Sequence, residues 1–451
     1  MRQFALRLKN QRLPLAKVLA FIFPLLVSSC VPLEPLREKQ LTLTDGALPV
    51  DDQRLEEKLF EEDALAHERL VKGRKFYEDA AVEQYLHKIA EPFIQGLNIG
   101  SQRNFIFKIV RDPTLNAMTD SSGRVYYHSG VLARIENEAQ LAFVLAHEIS
   151  HVFHRDILYQ DIVRDWWAKR SKWVDTLFNN PMNFSDYGMI TDASLQRMRL
   201  ISMNGFGQLF EARADVFAIE QIVKLGYDPS QAVVMIDHMI DEKERYDPNQ
   251  EKEEIFFYSD HPSNVTRKKY LTRWILQHQE LIRQSNATRL ETQRFLKETY
   301  RIRQEDVKLN LDFNRYPQAR DRALRLIEEN PNDPVSYYYL GEVLLGLLKS
   351  ADHLLIRKTG EEWREMTPEE KERNMRGLRI VTAASYRKAI HLDPKFPPPY
   401  RGLGMYLMQQ GKLLRAKRYF EKYLELEPRA KDRRSILYYL NSEVAAANKP
   451  L

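Results

Sequence analysis

The sequence contains almost no cysteine: Cys30 is the only one among its 451 residues. A single thiol cannot form an intrachain disulfide, so a disulfide-stapled fold is excluded. If Cys30 is modified during processing, as argued below, no thiol remains to act as a catalytic nucleophile. The fold must therefore be stabilised by an ordinary apolar core, and any enzyme activity must use other groups.

The chain also has little net charge. Its formal charge is +5, and five basic residues with no acidic residue lie within residues 1–29. The remainder is therefore close to neutral, and we expect no nucleic-acid partner, because nucleic-acid-binding domains carry basic patches. Apolar residues make up 43% and charged residues 29% of the chain, as in ordinary folded proteins, and its length allows two domains.

No apolar run is long enough to cross a membrane, which takes roughly 20 residues. The run Val18 to Val27 is interrupted by Pro24 and ends in Val27-Ser28-Ser29-Cys30, which resembles the lipobox of bacterial lipoproteins. We therefore expect residues 1–29 to be a signal peptide and Cys30 to be lipidated, which would attach the protein to a membrane. Val31 in place of aspartate favours the outer membrane, facing the periplasm. An ordinary signal peptide with a chance cysteine is the alternative.

The positions of prolines and the changes in secondary-structure pattern along the chain predict two domains after a short tether. Prolines at 32, 35 and 49 mark residues 30–50 as the tether. Helical patterning, with two short strands at Asn104–Val110 and Val125–His128, indicates a first domain over residues 51–290. The expected fold class is an α+β domain, mostly helical with a small sheet, followed by an all-α domain over residues 291–451.

The C-terminal third repeats itself. Tyr337, Leu340 and Gly341 recur 63 residues later as Tyr400, Leu403 and Gly404. The small, aromatic and terminating positions of the last unit resemble tetratricopeptide repeats, whose helix pairs bury their apolar faces only against a neighbouring unit. A charged insertion, roughly Ser350 to Arg379, would interrupt the earlier unit. Unrelated helical hairpins are the alternative interpretation.

The first chemical motif is His147-Glu148-Ile149-Ser150-His151, which lies in a segment with helical apolar periodicity. Two histidines four residues apart leave the same face of a helix, so both can bind one zinc ion. Glu148 stands beside them, placed to take a proton from water. The motif therefore predicts a metal-dependent hydrolase with one Zn²⁺ per chain.

The second motif supplies a third ligand. Glu211 and Asp215 lie four residues apart in Phe210-Glu211-Ala212-Arg213-Ala214-Asp215, sixty residues beyond His151. Catalytic zinc sites use three protein ligands, and ligand histidines are held by carboxylates. We expect Glu211 to bind the metal and Asp215 to hold a ligand histidine. A solvated acidic helix face is the alternative.

These motifs, with the downstream His261-Pro262 and Arg267, resemble the HtpX/BepA-type zinc metallopeptidases, a family of gluzincins. The resemblance implies that the α+β domain is a zincin-like metallopeptidase domain. It further implies an endopeptidase of the bacterial cell envelope that cleaves unfolded or stalled envelope and outer-membrane proteins. It also implies that Asn116 and Ala117 bind substrate, next to an edge strand at about Val125 to Ser129. The repeats would recruit partners such as the outer-membrane assembly machinery.

Two questions stay open in the sequence. His261 is predicted either to occupy the open metal position as a latch or to donate to the oxyanion with support from Arg267; a loop histidine without a role is the third option. The rival function is a zinc-stabilised repeat scaffold or chaperone for outer-membrane protein assembly with little proteolysis.

Overall fold

The computed structural model describes residues 42, 43, 45, 48–97, 103–162, 209–246, 264–349 and 367–447. The predicted signal peptide, residues 1–29, and Cys30 lie outside these ranges. The first half contains helices α1 (Val50–Lys72) and α2 (Ala80–Gly96), strands β1 (Ile106–Val110), β2 (Ala117–Thr119) and β3 (Arg124–His128), and helices α3 (Ser129–Arg134) and α4 (Glu138–Phe153). A helical segment at 156–162 and helix α5 at 209–224 follow. Then come α6 (Ser230–Tyr246), α7 (Asn264–Gln277) and α8 (Gln279–Ser285).

The second half is helical throughout the part of it that is described. It consists of α9 (Thr292–Asp312), α10 (Tyr316–Glu329), α11 (Pro334–Lys349), α12 (Pro368–Leu392), α13 (Pro398–Gln409), α14 (Leu413–Leu426) and α15 (Arg433–Ala447). No helix among the described residues has both the length and the apolar character that a bilayer span requires.

The small sheet has the order β1-β3-β2, with β1 parallel and β2 antiparallel to β3. Residues alternate across a strand, so Val125 and Tyr127 of β3 point to the same face, where both are fully buried in the core. This arrangement corrects one expectation: the strand at Val125 to Ser129 is the central strand of the sheet, and β1 and β2 are its edge strands.

Helix α4 passes through the middle of the first half. Its N-terminus is capped by Asn137, whose side-chain oxygen accepts from the Gln140 N–H at 3.0 Å. Fourteen of its sixteen residues are buried, because the sheet, α2, α6 and α9 surround it. A helix enclosed on most sides holds its side chains in fixed positions, which is what a metal site on it requires.

The repeats pack glycine against aromatic rings. A Cβ on Gly341 would lie 2.6 Å from the ring of Tyr386, and a Cβ on Gly404 would lie 2.6 Å from the ring of Phe420. These glycines are the ones that recur in the sequence. The predicted fold class, a mostly helical domain with a small sheet followed by repeat-like helices, is confirmed.

Helix α9 belongs to both halves. Phe295 and Ile302 lie in the same core as α4, whereas Val307 packs with α10 and α11. Ser129 of α3 also donates to the buried Asp306 of α9 at 3.2 Å. The predicted domain boundary at residue 290 therefore falls immediately before a helix that fills part of the first core.

Two further expectations need correction in detail. Leu43 is fully buried, and its N–H donates to the Phe153 carbonyl at 3.0 Å, so the end of the expected tether is packed on α4. The predicted insertion from Ser350 is helical from Pro368 onward, where a Thr367–Glu370 capping box starts α12.

Candidate metal centre

Three potential ligand atoms converge between α4 and α5. The Nε2 atoms of His147 and His151 lie 3.1 Å apart; Nε2 of His147 lies 3.2 Å from Oε2 of Glu211, and Nε2 of His151 lies 3.2 Å from Oε1 of the same carboxylate. Ligand atoms bound at the zinc distance in tetrahedral geometry are about 3.3–3.4 Å apart, so this triangle of side chains has the right size for zinc. Among the described residues these three side chains are the group that could hold a metal ion.

Each histidine is oriented by a carboxylate behind it. The Nδ1 atom of His147 lies 2.9 Å from Asp215, and the Nδ1 atom of His151 lies 2.8 Å from Asp156. A carboxylate accepts a hydrogen bond, so Nδ1–H donates and the Nε2 lone pair is directed inward in the neutral ring. Two imidazole lone pairs and a carboxylate then face one point, an arrangement that a cation stabilises.

The electrostatics agree with this requirement for positive charge. Burial lowers the pKa of His147, but the charge of Glu211 and the hydrogen bond to Asp215 outweigh it and raise that pKa to about 9. Burial raises the pKa of Glu211, but the two histidines outweigh it and hold that pKa well below its usual value. The donor set therefore fits a divalent metal such as zinc.

Asp215 is at the centre of a second layer. Arg267 on α7 donates to its two oxygens at 2.8 and 2.7 Å, and Tyr270 donates to it as well. Asp215 is fully buried and Arg267 is 5% exposed. Burial lowers the pKa of Arg267, yet the charge of Asp215 more than compensates and raises it. The structure thus places Arg267 behind the histidines, where it holds Asp215.

Glu148 follows His147 on α4 and is also buried. The pKa of Tyr127 on β3 is raised mainly by burial and, to a smaller extent, by the negative charge of Glu148. Glu148 therefore lies near Tyr127 of the central strand, and it is adjacent in sequence to the potential ligand His147.

The expected substrate-binding residues lie at the edge of the sheet next to α4. His128 N–H donates to the Asn116 carbonyl at 3.0 Å, and Asp120 N–H donates to the Arg124 carbonyl at 2.9 Å. In an antiparallel pair the backbone groups of alternate residues face the partner strand. Ala117 and Thr119 therefore direct their N–H and C=O groups away from β3, toward the open side of β2.

Other predicted residues fall elsewhere. His261 lies outside the described residues, as does Cys30. His154 lies three residues after His151. Its Nδ1 atom is 2.9 Å from the Ser150 carbonyl oxygen, and its ring packs on Phe153 and Phe217.

Sequence reasoning missed Asp156 and Tyr270. Asp156 lies two residues after His154, beyond the end of α4. Nothing in its spacing from the motif indicates that its side chain contacts His151. An acidic residue just beyond the motif was the available signal for it. Tyr270 stands three residues after Arg267, a spacing that places both on one face of α7.

Comparison with known proteins agrees with the geometry. The family model described as Peptidase family M48 matches residues 80–275. This range includes the two histidines, Glu148, Glu211, Asp215 and Arg267. The resemblance predicted from the motifs is thereby confirmed.

Similar proteins include the beta-barrel assembly-enhancing protease of Escherichia coli (strain K12), 27% identical over 168 residues, 36% of this chain and 34% of that protein. The mitochondrial metalloendopeptidase OMA1 of Arabidopsis thaliana is 25% identical over 124 residues, 28% of this chain and 23% of that protein. The chain thus spans about a third of the length of the beta-barrel assembly-enhancing protease that it matches. Among solved structures, MamA 41-end from Desulfovibrio magneticus RS-1 has a TM-score of 0.21 and 15% identity, covering 49% of this chain and 97% of that chain, a likeness that supports no inference.

Proposed function

We propose that the protein is a zinc-dependent endopeptidase of the bacterial cell envelope, a function supported by the match of residues 80–275 to the model of peptidase family M48. Its substrates are unfolded or misassembled envelope and outer-membrane proteins. The observation that carries the proposal is the triangle of His147, His151 and Glu211, backed by Asp215 and Asp156.

In this function His147, His151 and Glu211 hold one zinc ion. When bound there, zinc supplies Lewis-acid polarisation of the scissile carbonyl and of the attacking water. Asp215 and Asp156 keep both Nε2 lone pairs directed at the ion, and Arg267 keeps Asp215 in place. Three protein ligands leave a position open, as catalytic zinc sites do. His261 remains predicted either as a latch at that position or as a donor to the oxyanion.

Glu148 performs the proton transfer. It takes a proton from the attacking water and passes it to the leaving amine nitrogen. It follows the ligand His147 on α4, and in this motif the glutamate acts as the base beside the metal without binding it.

The edge of β2 explains a preference for unfolded substrates. An extended peptide can add to a sheet edge through main-chain hydrogen bonds, and the outward groups of Ala117 and Thr119 offer such bonds, with Asn116 at the start of the strand. Only a chain that lacks its own secondary structure at the cleavage site can pair in this way. Folded proteins are therefore spared.

Anchoring and recruitment complete the proposal. Lipidation of Cys30 would hold the enzyme on the outer membrane, facing the periplasm. The helices from α10 onward would bind a partner, with the outer-membrane assembly machinery as the candidate, since a related protease is named for β-barrel assembly.

Substitution of Glu148 by glutamine tests the proposal. Glu148→Gln should bind zinc with unchanged stoichiometry and lose about 10²–10⁴-fold in the rate of peptide cleavage, because the proton acceptor is gone. Glu91→Gln, an exposed position on α2, is the matched control and should cleave normally.

Cleavage of an unfolded substrate such as casein, with zinc content measured on the same samples, gives the result. A zinc-loaded Glu148→Gln protein that cleaves at the wild-type rate would refute the mechanism. Wild-type protein that binds zinc but cleaves neither casein nor unfolded outer-membrane proteins would favour the rival scaffold function.

A further inference from the structure

The chain turns sharply where α4 ends. Arg155 has φ = 54°, in the left-handed region that is unfavourable for residues with a side chain. This turn brings the next residue, Asp156, back toward the helix, where its carboxylate lies 2.8 Å from Nδ1 of His151. The orientation of one proposed metal ligand therefore depends on the backbone conformation of Arg155.

Arg155 is held by the N-terminal segment. Its Nε donates to Glu56 of α1 at 3.1 Å, and its guanidinium also donates to the Thr42 carbonyl. Arg103 pairs with the same Glu56 carboxylate. The side chains of Arg155, Arg103 and Glu56 are 7%, 9% and 13% exposed. A charge pair this well shielded from water is little screened by salt and is costly to break.

The segment that supplies these contacts is itself packed into the molecule. The N–H of Leu43 donates to the carbonyl of Phe153, one turn before Asp156, and Leu48 and Leu59 pack on Leu158 just after it. Residues before and within α1 thus contact the end of α4 and the helical segment at 156–162 on both sides of the turn.

Asp156 has a second partner that does not depend on this segment. Arg213 of α5 donates to the Asp156 oxygen that does not face His151. Arg213 acts on the carboxylate, whereas Glu56 acts on the residue that sets the backbone direction. The two contacts can therefore be separated by substitution.

We propose that Glu56 is a positioning residue for the metal centre: by clamping Arg155 in its left-handed conformation, it holds Asp156 on His151. This inference rests on the proposed binding of zinc by His147, His151 and Glu211. The N-terminal segment, which lies before the family M48 match, then helps to position a ligand of the metal site.

The test measures metal binding directly. Glu56→Gln should lower zinc affinity about tenfold, as is typical for partners outside the ligand shell, and should alter the visible spectrum of the cobalt(II)-substituted protein. Glu62→Gln, on the same helix and in an exposed pair with Lys58, is the control and should change neither. If Glu56→Gln does not fold, Glu56→Asp, which keeps the charge but shortens its reach, replaces it with the same expectation.

A second variant tests the mechanism of the clamp. Glycine adopts positive φ without strain, so adding Arg155→Gly to Glu56→Gln should restore most of the lost zinc affinity. A folded Glu56 variant with wild-type zinc affinity and an unchanged cobalt(II) spectrum would overturn the proposal. Absence of recovery in the double variant would overturn the backbone mechanism. Wild-type protein that binds no zinc would instead refute the proposed function.

Discussion

Helix α4 and helix α14 bury very different shares of their residues. Fourteen of sixteen residues are buried in α4, including the proposed ligand His147 and Glu148, whereas three of fourteen are buried in α14. The repeat helix shows one apolar face and is otherwise solvated, as expected for an amphipathic helix. The helix of the metal centre has to satisfy buried polar groups on nearly every side.

The partners of those buried groups differ in sequence distance. Glu138 in the first half accepts from Tyr85 and Tyr227, which are 53 and 89 residues away. In the repeats Tyr400 donates to the Pro394 carbonyl six residues away and Tyr423 to Asp432 nine residues away; Tyr386 donates to Glu342 44 residues away, but this bond joins the neighbouring helices α11 and α12. Long-range polar pairs make the metal centre sensitive to changes anywhere in the core, whereas the repeats depend mainly on their neighbours.

The largest effect should come from cutting between the two regions. A chain that ends at residue 290 loses Phe295 and Ile302 from the first core. Each loss of this kind costs about 2–5 kcal/mol, which together approaches the whole stability of about 5–15 kcal/mol of a typical domain. We expect this chain to bind no zinc and to show no cooperative thermal unfolding by circular dichroism.

The matched control ends at residue 332. It keeps α9 and α10, including Arg322, which donates to Glu242 of α6 at 2.8 Å. This chain should retain zinc and unfold cooperatively. If the chain ending at 290 behaves as the longer one does, the first domain folds without α9 and the predicted boundary at 290 is adequate.

A smaller but sharper contrast comes from one substitution made in both regions. Asp215→Asn removes the closer charge partner of the buried Arg267, leaving only Glu211 at 3.9 Å, and should destabilise the metal-free protein by about 3–5 kcal/mol. Asp432→Asn removes the partner of Arg401, whose side chain is 36% exposed, and should cost at most about 1 kcal/mol. Urea unfolding in the presence of a chelator gives both values. Equal costs would show that burial does not distinguish the two ion pairs.

The smallest effects concern two glycines of the repeats. Gly404→Ala places a methyl group against Phe420 and should destabilise the repeats by about 1–3 kcal/mol. Gly377→Ala on α12 meets no atom within 4 Å and should stabilise by about 0.5–1 kcal/mol, since alanine favours the helix. Thermal unfolding of the two variants should shift in opposite directions. A shift in the same direction would mean that packing around Gly404 can adjust.

The sequence by itself determined the features that depend on short-range spacing. Four-residue spacing on a helix predicted that His147 and His151 share a face and that Glu211 and Asp215 do so on α5, and the repeated glycine and tyrosine positions predicted the stacked helices. These predictions needed only helix geometry, which is set locally by the backbone.

Only the tertiary structure decided which distant groups meet. It placed β3 in the centre of the sheet, buried Leu43 of the expected tether, and set Arg267 on Asp215 behind the ligands. It also brought Asp156 to His151 through a left-handed residue that no local pattern marks. Such contacts join segments that are far apart in sequence or follow a single backbone angle, and their energies depend on burial, which emerges only when the core is assembled.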